Sequence, residues 1–367
     1  MKQILLYTCV AILAWTGSAG ARTFRVATYN VQNLFDLTRD GTEYEEYVPN
    51  TRMGWNKHIA AVKYRNIARV INDLAPDIVA LQEVESRKAL ILLRDALNRK
   101  GRSYPSLAVA DAKPSAVKCA LFSRFPIVSK REIPVREKPS RNILAVTVQV
   151  DGRPLILFVN HWKSKRGPES MRLPYARALR KAIDALPTGT DFIVLGDLNS
   201  NYNEFVTFRD KPLLNDTGGR TGINHVLGTI QGTQLVTEHM LLRQKRKGLL
   251  YNLWLELKPA KRWSYNFFGL KGSPDNIIIP EALYDKKRIS YVDNSFGRFA
   301  PHYLFRKRAI FRWQRAHRGK GRHLGMGFSD HLPIFALFST DPSSHASGIP
   351  ITFQPGFPMF QTSERIP

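Results

Sequence analysis

Oxygen-bearing side chains follow apolar runs at five places in this 367-residue chain. They are Asn30, Glu83, Asp197 with Asn199, Asp275 with Asn276, and Asp330 with His331. A single acid after a strand is usually a turn residue or a helix cap. Because the strand ends of a layered α/β protein can face one edge, five such positions together predict a site for a hard cation.

The ligand types indicate which cation this site would hold. Mg²⁺ takes oxygen ligands and keeps several waters, so one or two carboxylates and a substrate phosphate are enough to bind it. The chain has only two cysteines and no cluster of Cys and His, which argues against a structural zinc site. We therefore expect phosphoryl-transfer chemistry with Mg²⁺, or alternatively Ca²⁺ or Mn²⁺.

Strand-like and helix-like segments alternate from residue 24 onward, which predicts a layered α/β fold. The predicted strands are residues 24–30, 78–81, 144–150, 155–159 and 192–195. Asp151-Gly152 predicts a hairpin turn between the third and fourth of these strands. Residues 57–74 and 171–186 carry apolar side chains at helical spacing, so we expect two helices that cover a sheet.

Five motifs occur in a fixed order with wide spacing. They are TYNVQNLF at residues 28–35, DIVALQEV at 77–84, NHWKS at 160–164, GDLN at 196–199 and SDHLP at 329–333. With these motifs the chain resembles the endonuclease/exonuclease/phosphatase superfamily, which includes deoxyribonuclease I and exonuclease III, over about residues 24–338. The resemblance implies a four-layer sandwich in which two facing mixed β-sheets are flanked by helices.

The resemblance also implies which residues hold the metal and the phosphate. Glu83 would be the principal metal ligand, with Asn30 close to the same ion and Asp330 completing the metal edge. Asp197 would orient or deprotonate the attacking water, while Asn199 holds the phosphate. A strand-end turn is the alternative for Asn30, and an Asx turn is the alternative for Asn199.

Two histidines and one arginine would complete the site in the same way. His331 would donate a hydrogen bond or a proton to the phosphoryl centre, and His161 would face the same phosphate. Asp275 resembles the acid that supports His331, through a looser motif match. Arg141 resembles the arginine with which relatives contact phosphate, and a surface arginine is the alternative.

One position departs from the pattern of the superfamily. Several branches carry a tyrosine or an acid just before the strand that here contains residues 120–122, whereas this chain has Lys118 and Cys119 there. How His161 is supported is therefore left open.

The charge of the chain favours a polyanionic partner. The sequence has 55 Lys and Arg against 30 Asp and Glu, a formal net charge of +25, which favours nucleic acid or an anionic membrane surface. Residues 297–322, which we name the arginine-rich segment, combine many Arg and Lys with aromatic residues and contain no acid. We expect its cations to neutralise successive phosphates and its aromatic rings to stack on unpaired bases, a solvated basic loop being the alternative.

These features predict a metal-dependent phosphodiesterase, a monomer that hydrolyses nucleic acid with an activated water. The first alternative is a sphingomyelinase or another phospholipid or inositol-phosphate esterase, in which the aromatic residues would enter a membrane surface. The second alternative is a binding protein that kept the fold and lost the chemistry. The intact set of site residues argues against this last interpretation.

The first residues of the chain predict export, and composition divides the rest into a domain and a tail. Residues 1–21 have the charged, apolar and small-residue regions of a signal peptide, so we expect a secreted or periplasmic protein. A membrane anchor and a lipoprotein acylated at Cys9 are the alternatives. Cleavage would leave Cys119 as the only cysteine, and hence no intrachain disulfide. A catalytic domain is predicted at residues 22–340 and a Pro/Ser-rich tail at 341–367.

Overall fold

The computed structural model of the protein describes residues 22–136, 140–243, 248–267 and 269–341. The predicted signal peptide and all but the first residue of the predicted tail lie outside these described residues. Within these ranges, no helix combines the length and the apolar character needed to cross a bilayer.

The elements follow one another as short strands with a few helices between them. The strands are β1 (Thr23–Leu34), β2 (Ile78–Val84), β3 (Ser106–Val109), β4 (Lys118–Ser123), β5 (Ile127–Ile133), β6 (Ile143–Val150), β7 (Arg153–His161), β8 (Phe192–Asp197), β9 (Ile230–Gln231), β10 (Gln234–Leu235), β11 (Tyr251–Asn252), β12 (Tyr265–Phe267), β13 (Leu270–Gly272), β14 (Asp275–Ile279), β15 (Ser290–Tyr291), β16 (Gly297–Arg298), β17 (Phe305–Arg306), β18 (Ala309–Ile310) and β19 (Ile334–Ser339). The helices are α1 (Lys57–Leu74), α2 (Arg87–Asn98), α3 (Leu173–Asp184), α4 (Glu204–Thr207) and α5 (Glu238–Arg243). A further turn, Ala316–Gly319, contains two residues with left-handed backbone angles.

Two mixed sheets contain most of these strands. The first has the order β15-β19-β1-β2-β4-β3, with β16 also paired to β19, and the second has the order β11-β14-β8-β7-β6-β5. Each sheet has one parallel pair, β1 with β2 and β7 with β8, and its other pairs are antiparallel. The mixed character that the resemblance implies is confirmed.

Apolar side chains hold the sheets face to face. One buried cluster takes Val26 and Ile78 from the first sheet and Leu157 and Leu195 from the second, so it is the layer between the sheets. Tyr29 points the other way from β1 and belongs to a second cluster, which is covered by α1 and α2. A third cluster lies between the second sheet and α3. The predicted four-layer α/β sandwich is therefore confirmed.

The two predicted helices form where local signals place them. The Asn56 side chain accepts a hydrogen bond from the Ile59 amide at 3.1 Å, which caps the start of α1, and Ala75 ends it with a left-handed φ of 54°. The prediction of residues 57–74 matches α1. The prediction of residues 171–186 corresponds to the shorter α3, which a 3₁₀ turn at Glu169–Met171 precedes.

The predicted hairpin turn joins β6 to β7. Asp151 and Gly152 have φ values of 46° and 78°, the two positive values that a tight two-residue turn between twisted strands requires. The register pairs Val150 with Arg153 directly across this turn.

The aromatic residues of the arginine-rich segment pack into the protein. Trp313 is buried in the cluster above the first sheet, and Phe299, Tyr303, Phe305 and Phe311 pack against that cluster while partly buried. The prediction that these rings stack on bases is therefore wrong. The same composition serves a core here, because the segment packs against α1 and the apolar cluster above the first sheet.

The cations of this segment divide into two groups. Arg315 forms a 2.8 Å ion pair with Glu46 and is mostly buried, so it anchors the segment. Arg306, Lys307 and Arg308 lie at the exposed turn between β17 and β18. Further exposed cations of the segment lie within residues 318–322, so both stretches present charge to solvent.

A buried histidine fixes the segment to the loop after β1. His323 accepts a hydrogen bond at Nδ1 from Trp313 Nε1 at 2.9 Å, and its Nε2 lies 2.8 Å from the Glu46 carbonyl oxygen. This pattern requires a neutral ring that carries its proton on Nε2, since a proton on Nδ1 would face the indole N–H. Burial is the largest cause that lowers the pKa of His323, to about 4.

Acid is therefore expected to destabilise the protein through His323. The unfolded chain binds this proton near pH 6.5 and the folded chain only near pH 4, so the stabilisation is present above pH 6.5 and is lost as the pH falls to about 4. A pKa difference of about 2.5 corresponds to about 3 kcal/mol of unfolding free energy. Urea unfolding at pH 7 and pH 4 should show a loss that is larger by this amount in the wild type than in His323→Gln. Equal losses in both proteins would contradict the assignment.

Candidate active site

Both parallel pairs bring their carboxyl ends to one edge of the sandwich. β1 contributes Asn30, whose neighbour across the pair is Gln82, so Glu83 follows directly on β2. β7 and β8 place His161 opposite Asp197 in register. Asp275 begins β14 opposite Asp197, because that strand runs antiparallel to β8. The predicted convergence of these side chains is what the structure shows.

Irregular backbone aims the side chains of the first sheet at this edge. The register of β1 with β2 shifts after Asn30, and Gln32, Asn33 and Glu83 have φ values of 51°, 62° and 66°. The Asn33 amide donates to Glu83 Oε2 at 2.9 Å, which fixes the carboxylate. Left-handed angles at residues with side chains cost free energy and are found where function requires a side chain in that direction.

Gly196 is the residue that allows β8 to approach β7 just before Asp197. Its φ is 127°, and a Cβ atom placed on it would lie 2.1 Å from the Asn160 carbonyl oxygen. No other residue type fits this contact without displacing β7.

Asn30 joins the carboxylates of the two sheets. Its Nδ2 donates to Glu83 Oε1 at 3.1 Å and to Asp197 Oδ2 at 3.0 Å. Its Oδ1 accepts from the Gln32 amide at 3.0 Å, and its backbone oxygen accepts from Ser329 Oγ at 2.6 Å. Asn30 is thus more than a strand-end turn. In this orientation it holds the two acids as a donor, and coordination of a cation through Oδ1 would require the amide to turn over.

His331 and Asp275 form a buried pair. His331 Nδ1 lies 2.8 Å from Asp275 Oδ2, and Ser264 Oγ donates to the same oxygen at 2.5 Å. Burial acts to lower the pKa of His331, but the negative charges of Asp275, Asp197 and Asp330 together raise it well above its ordinary value. His331 is therefore an imidazolium at neutral pH, with Nε2 directed at the site.

Asp197 stands between the two imidazoles. Its Oδ2 lies 3.7 Å from His161 Nε2 and 4.0 Å from His331 Nε2. Burial is the largest cause that raises the pKa of Asp197, to about 6. Its Oδ1 accepts from the Asn199 amide at 2.8 Å, so Asp197 makes the turn that the sequence analysis considered for Asn199.

His161 is held through its backbone. Burial, followed by the positive charges of Arg141 and His331, lowers the pKa of His161 well below its ordinary value, so the ring is neutral. Its Nδ1 is buried and has no hydrogen-bond partner among the described residues. Lys118 donates instead to Ser115, at 2.8 Å, and to Glu85. The departure in sequence at this position therefore leaves His161 without a supporting tyrosine or acid.

Arg141 lies at the site, and two of its nitrogen donors bond to main-chain carbonyl oxygens. Nε donates to the His161 carbonyl oxygen at 3.3 Å and Nη2 donates to the Trp162 carbonyl oxygen at 3.0 Å. Asn199 Nδ2 donates to the same Trp162 oxygen at 3.1 Å. Arg141 is therefore not a surface arginine, and its Nη1 is the group that would meet a phosphate.

Comparisons with known proteins agree with this geometry. A sequence model of the Endonuclease/Exonuclease/phosphatase family matches residues 25–212. The chain belongs to this family. As a member it is a hydrolase of phosphodiester bonds. A search of curated proteins found no match.

Several solved structures share the fold. TDP2 of Danio rerio, complexed with single strand DNA product, is 14% identical with a TM-score of 0.52, and the match covers 86% of this chain and 98% of that one. The family protein from Beutenbergia cavernae is 17% identical with a TM-score of 0.50, covering 87% and 72%. An AP endonuclease from Archaeoglobus fulgidus is 14% identical with a TM-score of 0.50, covering 85% and 98%. Identities this low show the fold alone.

The chemistry of the site fits the divalent cation on which this family depends. Burial is the largest cause that raises the pKa of Glu83, followed by the negative charge of Asp330, so a bound cation would stabilise the charged form of this carboxylate. Ligand atoms of Asp197, Asp275 and His331 also lie within 4.8 Å of one another. Because Asp275 and His331 already bond to each other, the carboxylates of Glu83 and Asp330 are the groups that could hold a cation, rather than those three residues.

Lys63 is a buried lysine behind the site that the sequence analysis did not identify. Its Nζ donates to the Gln32 carbonyl oxygen at 2.9 Å and to the Phe328 carbonyl oxygen at 3.0 Å. The ammonium also lies 5.1 Å from the centre of the Trp313 ring. Lys63 thus joins the end of β1, the loop before Asp330 and the arginine-rich segment.

The environment of Lys63 is unusual for a lysine. Burial lowers the pKa of Lys63 to about 7, while the charges of Asp330 and Glu83 act to raise it. In the sequence, Lys63 comes four residues after Ile59 and four before Ile67, on the apolar face of α1. A lysine on this otherwise apolar face is the sequence signal that could have identified Lys63 as a buried residue.

Replacing Lys63 with methionine is expected to lower kcat by about 10- to 100-fold at saturating Mg²⁺. The reason is that the end of β1, which carries Asn30, and the loop that carries Asp330 lose their shared donor, and such supporting contacts have effects of this size. The measurement is a steady-state assay of phosphodiester hydrolysis, with circular dichroism to check the fold. Lys57→Met, in the exposed first turn of the same helix, is the matched control. A folded Lys63→Met protein with wild-type kcat would contradict the positioning role.

Proposed function

We propose that this family member is an exported, monomeric nuclease that hydrolyses phosphodiester bonds of nucleic acid with an activated water and Mg²⁺. The proposed substrate class rests on the positive charge of the chain. A buried phosphodiesterase site lies in a chain of net charge +25, whose arginine-rich segment exposes Arg306, Lys307 and Arg308. The proposal of export rests on the sequence of residues 1–21.

In this proposal, protons move through Asp197 and His331. Asp197 has a pKa of about 6, so at neutral pH its carboxylate can accept the proton of a water that attacks phosphorus. The His331 imidazolium donates a hydrogen bond to a phosphoryl oxygen or a proton to the leaving oxygen, and Asp275 keeps it charged. The neutral ring of His161 faces the same phosphate.

The remaining residues offset charge and hold geometry. Arg141 adds positive charge beside His161. Asn199 lies next to Arg141, because both side chains donate to the Trp162 carbonyl oxygen. Asn30 keeps Glu83 and Asp197 together. When bound at Glu83 and Asp330, Mg²⁺ would supply positive charge against the negative charge that develops on the phosphate oxygens.

The solved structures are compatible with a nucleic-acid substrate without deciding it. One of them, TDP2 of Danio rerio, holds a single strand DNA product. The same fold also serves other phosphate esters, so the substrate must be argued from the surface of this chain.

A panel of substrates tests the proposal. The full chain is incubated with plasmid DNA, with labelled sphingomyelin in vesicles and with bis(p-nitrophenyl) phosphate, each with Mg²⁺, Ca²⁺, Mn²⁺ or EDTA. Cleavage of plasmid in Mg²⁺ that EDTA abolishes supports a nuclease. Hydrolysis of sphingomyelin without cleavage of plasmid would favour the lipid esterase. Binding of DNA without any cation-dependent cleavage would favour a silent binding protein.

Salt is expected to weaken DNA binding steeply, and the exposed turn of the arginine-rich segment is expected to contribute. Binding is measured by fluorescence anisotropy on a labelled duplex in a His331→Ala background, which prevents cleavage. Replacing Arg306→Ser, Lys307→Asn and Arg308→Gly together removes three cations and keeps the positive φ values of residues 307 and 308. If all three contact phosphates, the slope of log K against log salt concentration falls by about 2.7.

The control is a change of exposed lysines outside this segment. Lys286→Asn with Lys287→Ser removes two exposed cations from another loop and should leave the slope close to that of the parent. Affinity that stays flat between low and moderate salt in the parent would count against a nucleic-acid substrate.

A further inference from the structure

A short hairpin of aromatic character stands beside the catalytic histidine. β12 and β13 form it, and we name it the aromatic hairpin. Its base is bonded to the loop of His331, since the Leu332 amide donates to the Ser264 carbonyl oxygen at 2.8 Å and Tyr265 forms a β-bridge with His331. The position of the hairpin relative to His331 is therefore fixed by main-chain contacts.

Aromatic rings lead from the catalytic imidazole along the hairpin. The Tyr265 ring lies 4.8 Å from the His331 ring between centroids. The Phe267 ring lies 6.3 Å from that of Tyr265, with planes within 9° of parallel. Phe267 is 48% exposed and Leu270, its partner in the register, is 75% exposed. An apolar surface with a flat ring thus begins one side chain away from the site.

A second exposed aromatic residue lies near the same site. Among the described residues, the exposed large hydrophobic side chains include two aromatic ones, Phe267 and Tyr44. Tyr44 is close enough to Glu83 and Arg141 for their charges to act on it. The most exposed aromatic rings therefore lie near the site, while those of the arginine-rich segment are buried or pack partly buried against the core.

Cations surround the base of the hairpin. The Arg298 guanidinium lies 3.8 Å and the Lys271 ammonium 5.0 Å from the centre of the Trp263 ring. Arg312 is near enough to Tyr265 to act on it through its charge. This combination of flat rings and positive charge matches a polymer that alternates aromatic bases with phosphates.

We propose that the aromatic hairpin binds an unpaired nucleobase, next to the scissile phosphate, of the strand whose phosphate lies between His161 and His331. The proposal rests on the nuclease function above and makes its substrate more specific. Inside a duplex the neighbouring base pairs cover both faces of each internal base, so a single-stranded or frayed nucleotide stacks on Phe267 more readily than a duplex base does. Single-stranded nucleic acid is therefore the preferred substrate.

A membrane surface is the rival occupant of the hairpin. Exposed Phe267 and Leu270 would suit contact with lipid. However, each strand of the hairpin has three residues, and Tyr265 packs on His331 rather than extending towards a tip. The cations near Trp263 and Tyr265 also favour a chain of phosphates over acyl chains.

The test compares substrates in variants of Phe267. Steady-state kinetics are measured on a labelled single-stranded oligonucleotide, on the blunt duplex of the same sequence and on bis(p-nitrophenyl) phosphate. Phe267→Ala is expected to raise KM for the single strand by about 5- to 100-fold, the effect of losing one base–aromatic stack. The loss on the single strand should exceed the loss on each of the other two substrates at least about fivefold. Phe267→Trp should restore the single-strand KM, and Leu213→Ala, at another exposed site, is the control.

Other outcomes separate the two proposals. If the wild type cleaves oligonucleotides but Phe267→Ala affects the three substrates equally, the stacking role is wrong and the nuclease function stands. If the wild type cleaves no oligonucleotide, the nuclease function fails and the stacking role fails with it. If Phe267→Ala instead abolishes co-sedimentation with vesicles of sphingomyelin and phosphatidylglycerol and leaves the oligonucleotide KM unchanged, the hairpin is a lipid contact.

Discussion

Replacing Asp197 with asparagine is expected to lower kcat for phosphodiester hydrolysis by about 10²- to 10⁴-fold, the range that removal of a general base covers. The amide has nearly the shape of the carboxylate but cannot take a proton from water. Asp197 ends β8 opposite Asp275, which begins β14, and the charges of these two buried carboxyl groups repel each other. Removing one of these charges should not lower the melting temperature, so the loss would be chemical rather than structural.

The Asp197→Asn effect is measured by single-turnover cleavage of a labelled oligonucleotide, which isolates the chemical step. Asp210→Asn, an exposed acid beyond the end of α4, is the matched control and should retain wild-type activity. A rate for Asp197→Asn within a few-fold of the wild type would show that another group accepts the proton.

Replacing Glu83 with glutamine is expected to raise the Mg²⁺ concentration needed for half-maximal activity by about 100-fold or more. Loss of supporting residues already costs 10- to 100-fold in metal affinity, and Glu83 would be a ligand itself. The substitution removes the charge but keeps the side-chain length and the left-handed backbone at this position. High Mg²⁺ should therefore restore part of the activity.

The measurement is a titration of activity with Mg²⁺, together with calorimetric titration of Mn²⁺ into the protein without substrate. Glu45→Gln, at a highly exposed acid in the loop after β1, is the control. An unchanged Mg²⁺ requirement in Glu83→Gln would place the cation elsewhere, for example at the group of Asp197, Asp275 and His331.

The main architecture could be predicted from sequence because its signals are local. The helix at residues 57–74 has a capping asparagine, an apolar stripe and a stop, and its bounds match α1. The hairpin at Asp151-Gly152 needs only two residues to specify its turn. The motif residues at the strand ends converge because parallel neighbours bring their carboxyl ends to one edge. The chemical roles given to these residues stay predictions.

Features that depend on tertiary contacts were not predictable in the same way. The two- and three-residue strands β9 to β13 and β15 to β18 have no periodicity to detect and exist only with their partners. The arginine-rich segment was misread because a stacking surface and a core covering have the same composition, and only Trp313 and His323 in their packed positions decide between them. Lys63 looks like an ordinary helix residue until its two carbonyl partners are known.

The position of the aromatic hairpin also depends on a tertiary contact that the sequence does not reveal. Tyr265 and Phe267 follow the alternation of a strand, but nothing in their order places them next to His331. That neighbourhood comes from the β-bridge between Tyr265 and His331, which joins positions 66 residues apart. Substrate preference in this chain therefore depends on tertiary packing that the sequence does not reveal, whereas the sequence motifs indicate the reaction class.

The central claim is that the acids of two sheets and two imidazoles form one cation-dependent site for phosphodiester cleavage. The most direct measurement is digestion of a plasmid by the full chain, by Glu83→Ala and by His331→Ala, each with Mg²⁺ and with EDTA. The wild type is expected to convert supercoiled plasmid into cut forms in Mg²⁺ and not in EDTA. Both variants should be at least about 100-fold slower. Wild-type rates in both variants, or cutting that EDTA leaves unchanged, would contradict the central claim.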